Sequence, residues 1–318
     1  MGVLLTNISA LEFWRYAAHT RHAFLASAEC TLRQPLDKPS FREVASLADR
    51  GFAFLSHPVH VLVEDEALRC RAEGVFSHTV SRKELCRRVV RAADGVYVVS
   101  PEACLLQLAD DLPFPNLVET GFEWCGGYAR STGEFCSIVQ RDPLTTVAKL
   151  ELFSKRVGGA DGTKTLRKAL RFVLDGSLSP MESVTVVLLC FPVRLGGYGL
   201  PLPVMNAVVE VPARERAFVK KSFYKCDLYW PEAKFAIEYD SNLHHTGATR
   251  IAEDASRRVD LAYLGVEVAT LTQQQACDRR EMDRIAHLLA KRLGKRLRLE
   301  RFDRGAQDDL RSRLLGFS

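Results

Sequence analysis

The segment CDLYWPEAKFAIEYD, residues 226–240, restricts the possible folds more than any other part of the sequence. Apolar and aromatic residues on both sides of its centre predict two strands, with Glu232-Ala233 as a two-residue turn between them. Such a turn places Asp227 opposite Glu238, because the turn fixes which positions of a hairpin pair. The segment therefore predicts an antiparallel hairpin that carries two carboxylates side by side.

The elements around this hairpin follow the order helix, three strands, helix, strand and helix. Ser179-Pro180 predicts a helix start, because serine caps helices and proline fits their first turn. We predict a helix from Ser179 to Phe191, strands at 206–211, 218–229 and 234–240, a helix at 248–264, a strand at 266–271 and a helix at 281–293. Strands that first pair in sequence and then cross over through a helix form a mixed sheet. The expected fold class is α/β (α+β), with a mixed sheet flanked by helices.

Length and glycine placement predict two domains. A chain of 318 residues is about twice the usual length of one domain, and glycine-rich breaks occur at 158–162 and 175–177. We predict an N-terminal mixed α/β domain at 1–157, a linker with a bridging helix (163–174) at 158–176, a second domain at 177–298 and a basic tail at 299–318. Within the first domain we predict strands at 61–63 and 96–99 and helices at 81–92 and 101–108.

Composition predicts a cytoplasmic protein without a membrane partner. The nine cysteines are an odd number and include no Cys-x-x-Cys pair, which is typical of reduced thiols. No apolar run approaches the roughly 18 residues that a membrane span needs. His57, His60 and His78 show no ligand spacing, so we expect them in the core or on the surface rather than at a metal.

The facing carboxylates of the hairpin predict a cation site. Two like charges about 5 Å apart at Cβ repel each other unless a positive charge compensates them, and Mg²⁺ prefers carboxylate oxygens. The same register pairs Lys225 with Asp240 on this face of the hairpin. The alternative is the polar face of an edge hairpin, with Lys225 and Asp240 as a surface ion pair. Glu238 lies within the apolar run FAIEY, however, and a buried acid needs a partner.

Two histidines follow the second strand of the hairpin. His244 and His245 come four and five residues after Asp240. An imidazole in that place can accept a proton from water or give one to a leaving oxygen.

The C-terminal stretch is basic. Between Arg279 and Arg313 the chain has 12 Lys and Arg against six Asp and Glu. This stretch, which includes Arg292, Lys295 and Arg296, is either a footprint for the phosphates of DNA or a solvated helix face.

These motifs in order resemble a known nuclease superfamily. Asp227, ten further residues and then Glu238-Tyr239-Asp240 resemble the PD-(D/E)XK signature. The longer string Glu-Tyr-Asp-x-x-x-His-His, followed by Asp254, Arg257, Leu261 and Gly265, is similar to the very-short-patch-repair-like endonuclease branch over residues 177–275. The resemblance implies a restriction-endonuclease-like core and a Mg²⁺- or Mn²⁺-dependent endonuclease that acts on DNA, in defence or repair.

From the residues and this resemblance together we predict the site residues. They are Asp227 and Glu238 as metal ligands and catalytic groups, Asp240, His244, His245 and Glu182 as further catalytic groups, and Lys225, Arg257, Arg258, Arg292, Lys295 and Arg296 as DNA-binding cations.

Several of these residues also fit a purely structural role. Ser179-x-x-Glu182 matches a capping box, which accounts for the glutamate without a metal. Asp254 and Arg257 lie one helical turn apart, so an ordinary ion pair is the alternative there. Asp240 stands where the general motif has lysine, and Ser241 stands where the branch has glycine. A non-cleaving member of the family would show the same departures.

The N-terminal half resembles the type IV antitoxin (AbiEi-like) proteins through SHTVSRKEL and VYVVSPEACLLQLA. That resemblance implies a partner- or DNA-binding role for this half. Three functions therefore compete: a metal-dependent endonuclease, a degenerate nuclease-fold regulator or antitoxin-like protein that binds DNA without cutting it, and a protein-interaction module built on the N-terminal half.

Overall fold

The structure is a computed structural model that describes residues 2–20, 29–32, 38–80, 88–130, 137–240 and 248–316. The chain divides between Val173 and Leu174 into two compact units. Each unit contains a mixed sheet with helices, so the predicted fold class, mixed α/β with helices flanking the sheets, is confirmed.

The first unit is built on a six-stranded mixed sheet. Its elements are β1 Val3–Leu5, α1 Asn7–Thr20, β2 Glu29–Thr31, α2 Phe41–Ala45, β3 Val59–Val63, β4 Val75–Thr79, β5 Arg88–Ala93, β6 Val96–Val99, α3 Pro101–Asp111, α4 Phe114–Cys125, β7 Tyr128–Ala129, β8 Val139–Gln140, α5 Val147–Arg156 and α6 Thr163–Ala169. The strand order is β2-β5-β6-β1-β3-β4, with β1–β6 and β3–β4 parallel. Helices α1 and α3 pack on each other, and the Trp14 indole donates a hydrogen bond to the Val99 carbonyl.

The helix predicted at 81–92 is wrong over its described part. Residues 88–93 form strand β5, which pairs antiparallel with β6 across the turn Asp94-Gly95. Gly95 has φ +64°, a conformation that glycine adopts without steric cost. The β-branched Val89 and Val90 and this Asp-Gly turn together favour a hairpin over a helix. The helix predicted to begin at Ser100-Pro101 is present, with Ser100 as its cap.

The helix predicted as a bridge belongs to the first unit. It is α6, which buries Leu166 and Ala169 and packs against α3, α4 and α5. Residues 158–173 are therefore part of a packed layer rather than a linker.

Two of the N-terminal histidines lie side by side. His60 on β3 and His78 on β4 are neighbours, with His60 Nδ1 2.8 Å from His78 Nε2. Burial, followed by the charge of His60, lowers the pKa of His78 to about 4. Burial lowers the pKa of His60 as well, so both rings are neutral at pH 7 and each is a hydrogen-bonding partner of the other.

The second unit contains the seven predicted elements in their predicted order, but the strand predicted at 218–229 begins only at Phe223, and two further helices are present near the C-terminal end. It contains α7 Pro180–Cys190, β9 Val204–Glu210, β10 Phe223–Trp230, β11 Phe235–Asp240, α8 Ala248–Tyr263, β12 Glu267–Thr272, α9 Gln273–Cys277, α10 Arg279–Arg292 and α11 Arg304–Leu315. The sheet order is β12-β11-β10-β9. Strands β9, β10 and β11 pair antiparallel, and β12 is parallel to β11 after the crossover through α8. Helix α7 packs on β10, and α8 packs on β12.

The basic tail predicted at 299–318 is instead a packed helix over most of its length. Helix α11 buries Leu310 and Leu314 and contacts α7. The backbone of Gly196, at φ +85°, approaches the Ala306 carbonyl so closely that a Cβ there would collide with it. Gln307 and Arg311 are buried on the same helix, which therefore docks through one face although half of its other positions are charged.

Among the described residues, no helix combines the length and apolar character that crossing a bilayer requires. The seven cysteines in this part of the chain are all free thiols.

Candidate active site

The hairpin has the predicted register. Leu228 pairs with Ile237 and Trp230 with Phe235, so the next position along brings Asp227 opposite Glu238. The turn itself differs from the predicted two-residue type: Pro231–Ala233 form one 3₁₀ turn, and Lys234 closes it in the left-handed region at φ +44°. The longer turn keeps the same pairing because it is centred on the same two residues.

Asp227 interrupts the ladder between β10 and β11. Its Oδ2 accepts a hydrogen bond from the Tyr239 main-chain N–H at 2.9 Å, in place of a backbone carbonyl. The predicted pairing of Lys225 with Asp240 falls beyond the end of this ladder. Both residues are exposed, and the Lys225 carbonyl accepts a hydrogen bond from Arg257.

Glu238 forms an ion pair with Arg257 of helix α8. Arg257 Nη1 lies 2.6 Å from Glu238 Oε2, and Nη2 lies 2.5 Å from Oε1. The same guanidinium reaches the Lys225 carbonyl, so it ties β10 and β11 to the helix. The alternative of a local pair between Asp254 and Arg257 is therefore wrong, because the guanidinium lies on Glu238 rather than one turn back along α8.

Both facing carboxylates have pKa values above the ordinary range. Burial raises the pKa of Glu238, and the nearby charge of Asp227 raises it further, while Arg257 lowers it in part. Burial also raises the pKa of Asp227, against the hydrogen bond from Tyr239 and the charge of Arg257. Arg257, with smaller contributions from Lys225 on Asp227 and from Arg258 on Glu238, therefore offsets the burial of the two carboxylates only in part, and such a site gains from a further cation.

Glu182 on α7 serves as a cap and also lies within electrostatic reach of Asp227. Ser179 Oγ accepts from the Glu182 N–H, and the Glu182 carboxylate accepts from the Ser179 hydroxyl and from the Leu178 N–H, both at 2.9 Å. The Glu182 carboxylate thus accepts the main-chain N–H of Leu178, whereas a capping box predicts that it accepts the N–H of the cap residue Ser179. Burial and then the charge of Asp227 raise the pKa of Glu182. The capping role and the place beside the acids are therefore compatible.

Asn206 on β9 is a site residue that was not predicted from the sequence. It lies between the pairs Ala207–Cys226 and Met205–Leu228, which puts it opposite Asp227. Its Nδ2 donates to Glu182 Oε2 at 2.7 Å and to the Gly176 carbonyl at 3.0 Å. Its φ of +47° is unusual within a strand, and asparagine adopts that region more readily than other residues with a side chain. An amide inside the apolar run around it was the available signal, because a buried polar group needs a partner.

The remaining predicted cations lie apart from the hairpin along the chain. Arg258 on α8 is exposed and donates to Thr270 Oγ1 of β12 at 3.0 Å. Arg292 at the end of α10 pairs with Glu267, while Lys295 and Arg296 are exposed in the segment after it. His244, His245 and Ser241 lie outside the described residues.

The acids of the hairpin can bind a small hard cation through two carboxylates. No group of three or more His, Cys, Asp or Glu side chains within the described ranges is arranged to hold a metal ion. Mg²⁺, however, is commonly bound through one or two carboxylates, with waters and substrate phosphate completing its shell. Asp227 and Glu238 supply that donor set, and Arg257 shares the Glu238 oxygens with any cation that binds.

The Glu238–Arg257 pair is expected to show coupled stability. We expect Arg257→Gln and Glu238→Gln to lower the free energy of unfolding, and the double variant to lose less than the sum by about 1–2 kcal/mol, because each single change leaves a half-buried charge unpaired. Urea unfolding of the four proteins measures this coupling. Arg258→Gln is the control, with a cost below about 0.5 kcal/mol expected for an exposed side chain. Additive losses would show that Glu238 and Arg257 do not stabilise each other although they are in contact.

The site thus joins two facing carboxylates, a third carboxylate on a helix terminus, an asparagine at positive φ and one arginine. These groups come from α7, β9, β10, β11 and α8, so the mixed sheet and its crossover helix assemble them. Comparisons of this chain with protein-family models, with curated proteins and with solved structures each give no match.

Proposed function

We propose that the second unit is a metal-dependent endonuclease that hydrolyses phosphodiester bonds of DNA with Mg²⁺ or Mn²⁺. The observation that carries the proposal is the pair Asp227 and Glu238, opposite each other on β10 and β11 with raised pKa values. Opposed like charges inside a sheet destabilise it unless they bind something positive. The same residues resemble the PD-(D/E)XK signature, which implies that such a pair catalyses phosphodiester hydrolysis.

The roles of the residues follow from their positions. Asp227 and Glu238 would hold the cation, and Glu182, fixed by Asn206, would keep a third acid beside Asp227. When bound, the cation polarises the phosphate and lowers the pKa of water. His244 or His245 would move the proton at the attacking or leaving oxygen. Asp240, at the end of β11, is the next acid along the chain. Arg257 would exchange Glu238 for a phosphate oxygen, since guanidinium binds both in the same forked manner.

A non-cleaving DNA-binding regulator, or antitoxin-like protein, is the second candidate. The observation that favours it is the Arg257 guanidinium on both oxygens of Glu238, which supplies a positive charge without a metal. Asp240 in the place of the motif lysine favours it as well. In this case the nuclease core serves as a scaffold, and the N-terminal unit serves as the partner- or DNA-binding domain.

One incubation separates the two candidates. Supercoiled plasmid is mixed with the protein in Mg²⁺, Mn²⁺ or EDTA, and nicking and linearisation are followed on gels. The nuclease predicts cutting with a metal, none in EDTA and none by Asp227→Asn. Binding of DNA without cutting in either metal would replace the nuclease with the regulator.

DNA affinity is expected to depend on the cations around the end of α10. Replacing Arg292, Lys295 and Arg296 with glutamine should weaken binding to every DNA sequence and flatten the plot of log K against log[salt] by about 0.9 per lost phosphate contact. Fluorescence anisotropy at several salt concentrations measures the slope, with thermal unfolding as the check on folding. An unchanged slope would identify this stretch as a solvated helix face.

A further inference from the structure

Two aromatic rings lie exposed next to each other on the second unit. The rings of Phe218 and Tyr263 have centroids 5.5 Å apart and planes tilted by 31°. Phe218 is 66% exposed and Tyr263 is 51% exposed. Val259, one turn earlier on α8, is exposed too. Exposed apolar side chains that adjoin one another, unlike single ones, mark places where something binds.

The segment that carries Phe218 is held in place by buried side chains of β10 and α8. Asp260 on α8, only 6% exposed, accepts hydrogen bonds from the Tyr224 hydroxyl at 2.6 Å and from the Lys220 N–H at 3.4 Å. The Lys221 N–H donates to the same Tyr224 hydroxyl at 3.2 Å. Val219 packs on the buried cluster that includes Leu261 and Val266. Phe218 is therefore presented on a fixed base, so a ligand that stacks on it meets a preformed surface.

The same segment is strongly basic. Residues 212–222 contain four cations, which are all at least partly exposed, against the single acid Glu215. The four are Arg214, Arg216, Lys220 and Lys221. An exposed aromatic pair inside a positive field is complementary to a polyanion that also carries flat apolar groups, which describes a nucleic acid strand with unpaired bases.

This surface shares a helix with the candidate active site. Tyr263 follows Arg257 by six residues, or about 9 Å along the axis of α8. One strand of a stacked duplex rises roughly 3.4 Å along the helix axis for each phosphate, so the distance corresponds to about three stacked nucleotides. Tyr263 and Arg257 therefore lie within a few nucleotides of each other along one helix.

We propose that Phe218 and Tyr263, with Arg214, Arg216, Lys220 and Lys221, form a stacking platform for DNA that has unpaired bases. The aromatic faces take a base, and the four cations take the phosphates on either side of it. The link to cleavage rests on the proposed nuclease function, whereas the platform itself binds DNA with or without that activity.

The test measures binding in EDTA, where no metal-dependent cleavage takes place. Anisotropy of labelled oligothymidylate and of a blunt duplex of equal length is followed for the wild-type chain and its variants. For Phe218→Leu with Tyr263→Leu, which keep apolar bulk and remove the rings, we expect single-strand affinity to fall about 5- to 150-fold and duplex affinity to change little. Phe41→Leu, the same change at a phenylalanine that is 57% exposed in the first unit, is the matched control and should bind as the wild type does.

The cationic part of the platform has its own expected result. Glutamine at all four basic positions should weaken both DNA forms and reduce the single-strand salt slope by about 0.7 per lost phosphate contact. A folded leucine variant with wild-type single-strand affinity would overturn the proposal, as would a wild-type chain that binds no single strand. Loss of binding to phosphatidylserine vesicles with unchanged DNA binding would overturn it in favour of a lipid surface.

The same experiment keeps this proposal separate from the nuclease. Binding of oligothymidylate in EDTA reports on the platform alone, because the proposed cleavage needs a metal. If the wild type binds single strands through the two rings but never cuts DNA, the platform stands and the nuclease falls. If it cuts DNA while the leucine variant binds as well as the wild type, the reverse holds.

Discussion

Asp227→Asn and Glu238→Gln are each expected to abolish Mn²⁺ binding measurable by titration calorimetry. Each carboxylate supplies an oxygen to one cation, and the neutral amides keep the shape while removing the charge that holds a hard ion. Cleavage, where the wild type shows it, should fall by about 10²- to 10³-fold or more in both variants, since the charge that stabilises the reacting phosphate is lost. The two variants should differ in the unfolding midpoint of the metal-free protein. Asp227→Asn relieves repulsion with Glu182 and Glu238, whereas Glu238→Gln breaks the pair with Arg257.

A matched control lies on the same hairpin. Glu232 is exposed in the turn that joins the two strands, so Glu232→Gln removes one negative charge without touching the site. It should bind Mn²⁺ as the wild type does. Unchanged Mn²⁺ binding in both Asp227→Asn and Glu238→Gln would contradict a metal site shared by the two carboxylates. Equal weakening in all three variants would show that Mn²⁺ affinity depends only on the net charge of the protein.

The centre of the site was predictable because strand pairing is a strict rule. Side chains alternate along a strand and the turn fixes the register, so Asp227 opposite Glu238 follows from the sequence once the turn is found. The order of helices and strands in the second unit followed in the same way, from apolar periodicity and from caps such as Ser179. These signals are local, and they are strong where apolar residues recur at a clear period.

The partners of the acids were not predictable by the same means. Glu182 and Asn206 are 24 residues apart and meet because α7 docks on the sheet beside β9. Arg257 had a local candidate partner in Asp254, and only the packing of α8 places its guanidinium on Glu238. The left-handed conformation of Asn206 gives no pattern in the sequence, since any kink in a strand is fixed by its tertiary neighbours.

The predictions for β5 and α11 were wrong for a related reason, because tertiary packing decides both structures. The apolar residues around β5 fit a helical as well as an extended period, and the pairing with β6 decides between them. In α11 the charges outnumber the apolar residues, so composition favoured a solvated tail over a helix that docks through Leu310 and Leu314. The neighbouring histidines His60 and His78 show the same limit, because the spacing of parallel strands along the chain carries no information on which residues meet.

Replacing His244 and His245 together with alanine is expected to lower the single-turnover rate of DNA cleavage by about 10²- to 10⁴-fold, with Mn²⁺ and DNA affinity nearly unchanged. A general base acts on the transition state and adds little to binding of the ground state, so the loss belongs in the chemical step. A quenched-flow assay with labelled duplex in Mg²⁺ gives the rate, and calorimetry and anisotropy give the two affinities. His287→Ala, at an exposed histidine of α10, is the matched control and should leave the rate intact. Loss of Mn²⁺ binding in the double variant would make these histidines ligands rather than bases. A wild-type rate would move the proton transfer to another group, with Asp240, at the end of the same strand as Glu238, as the next residue to replace.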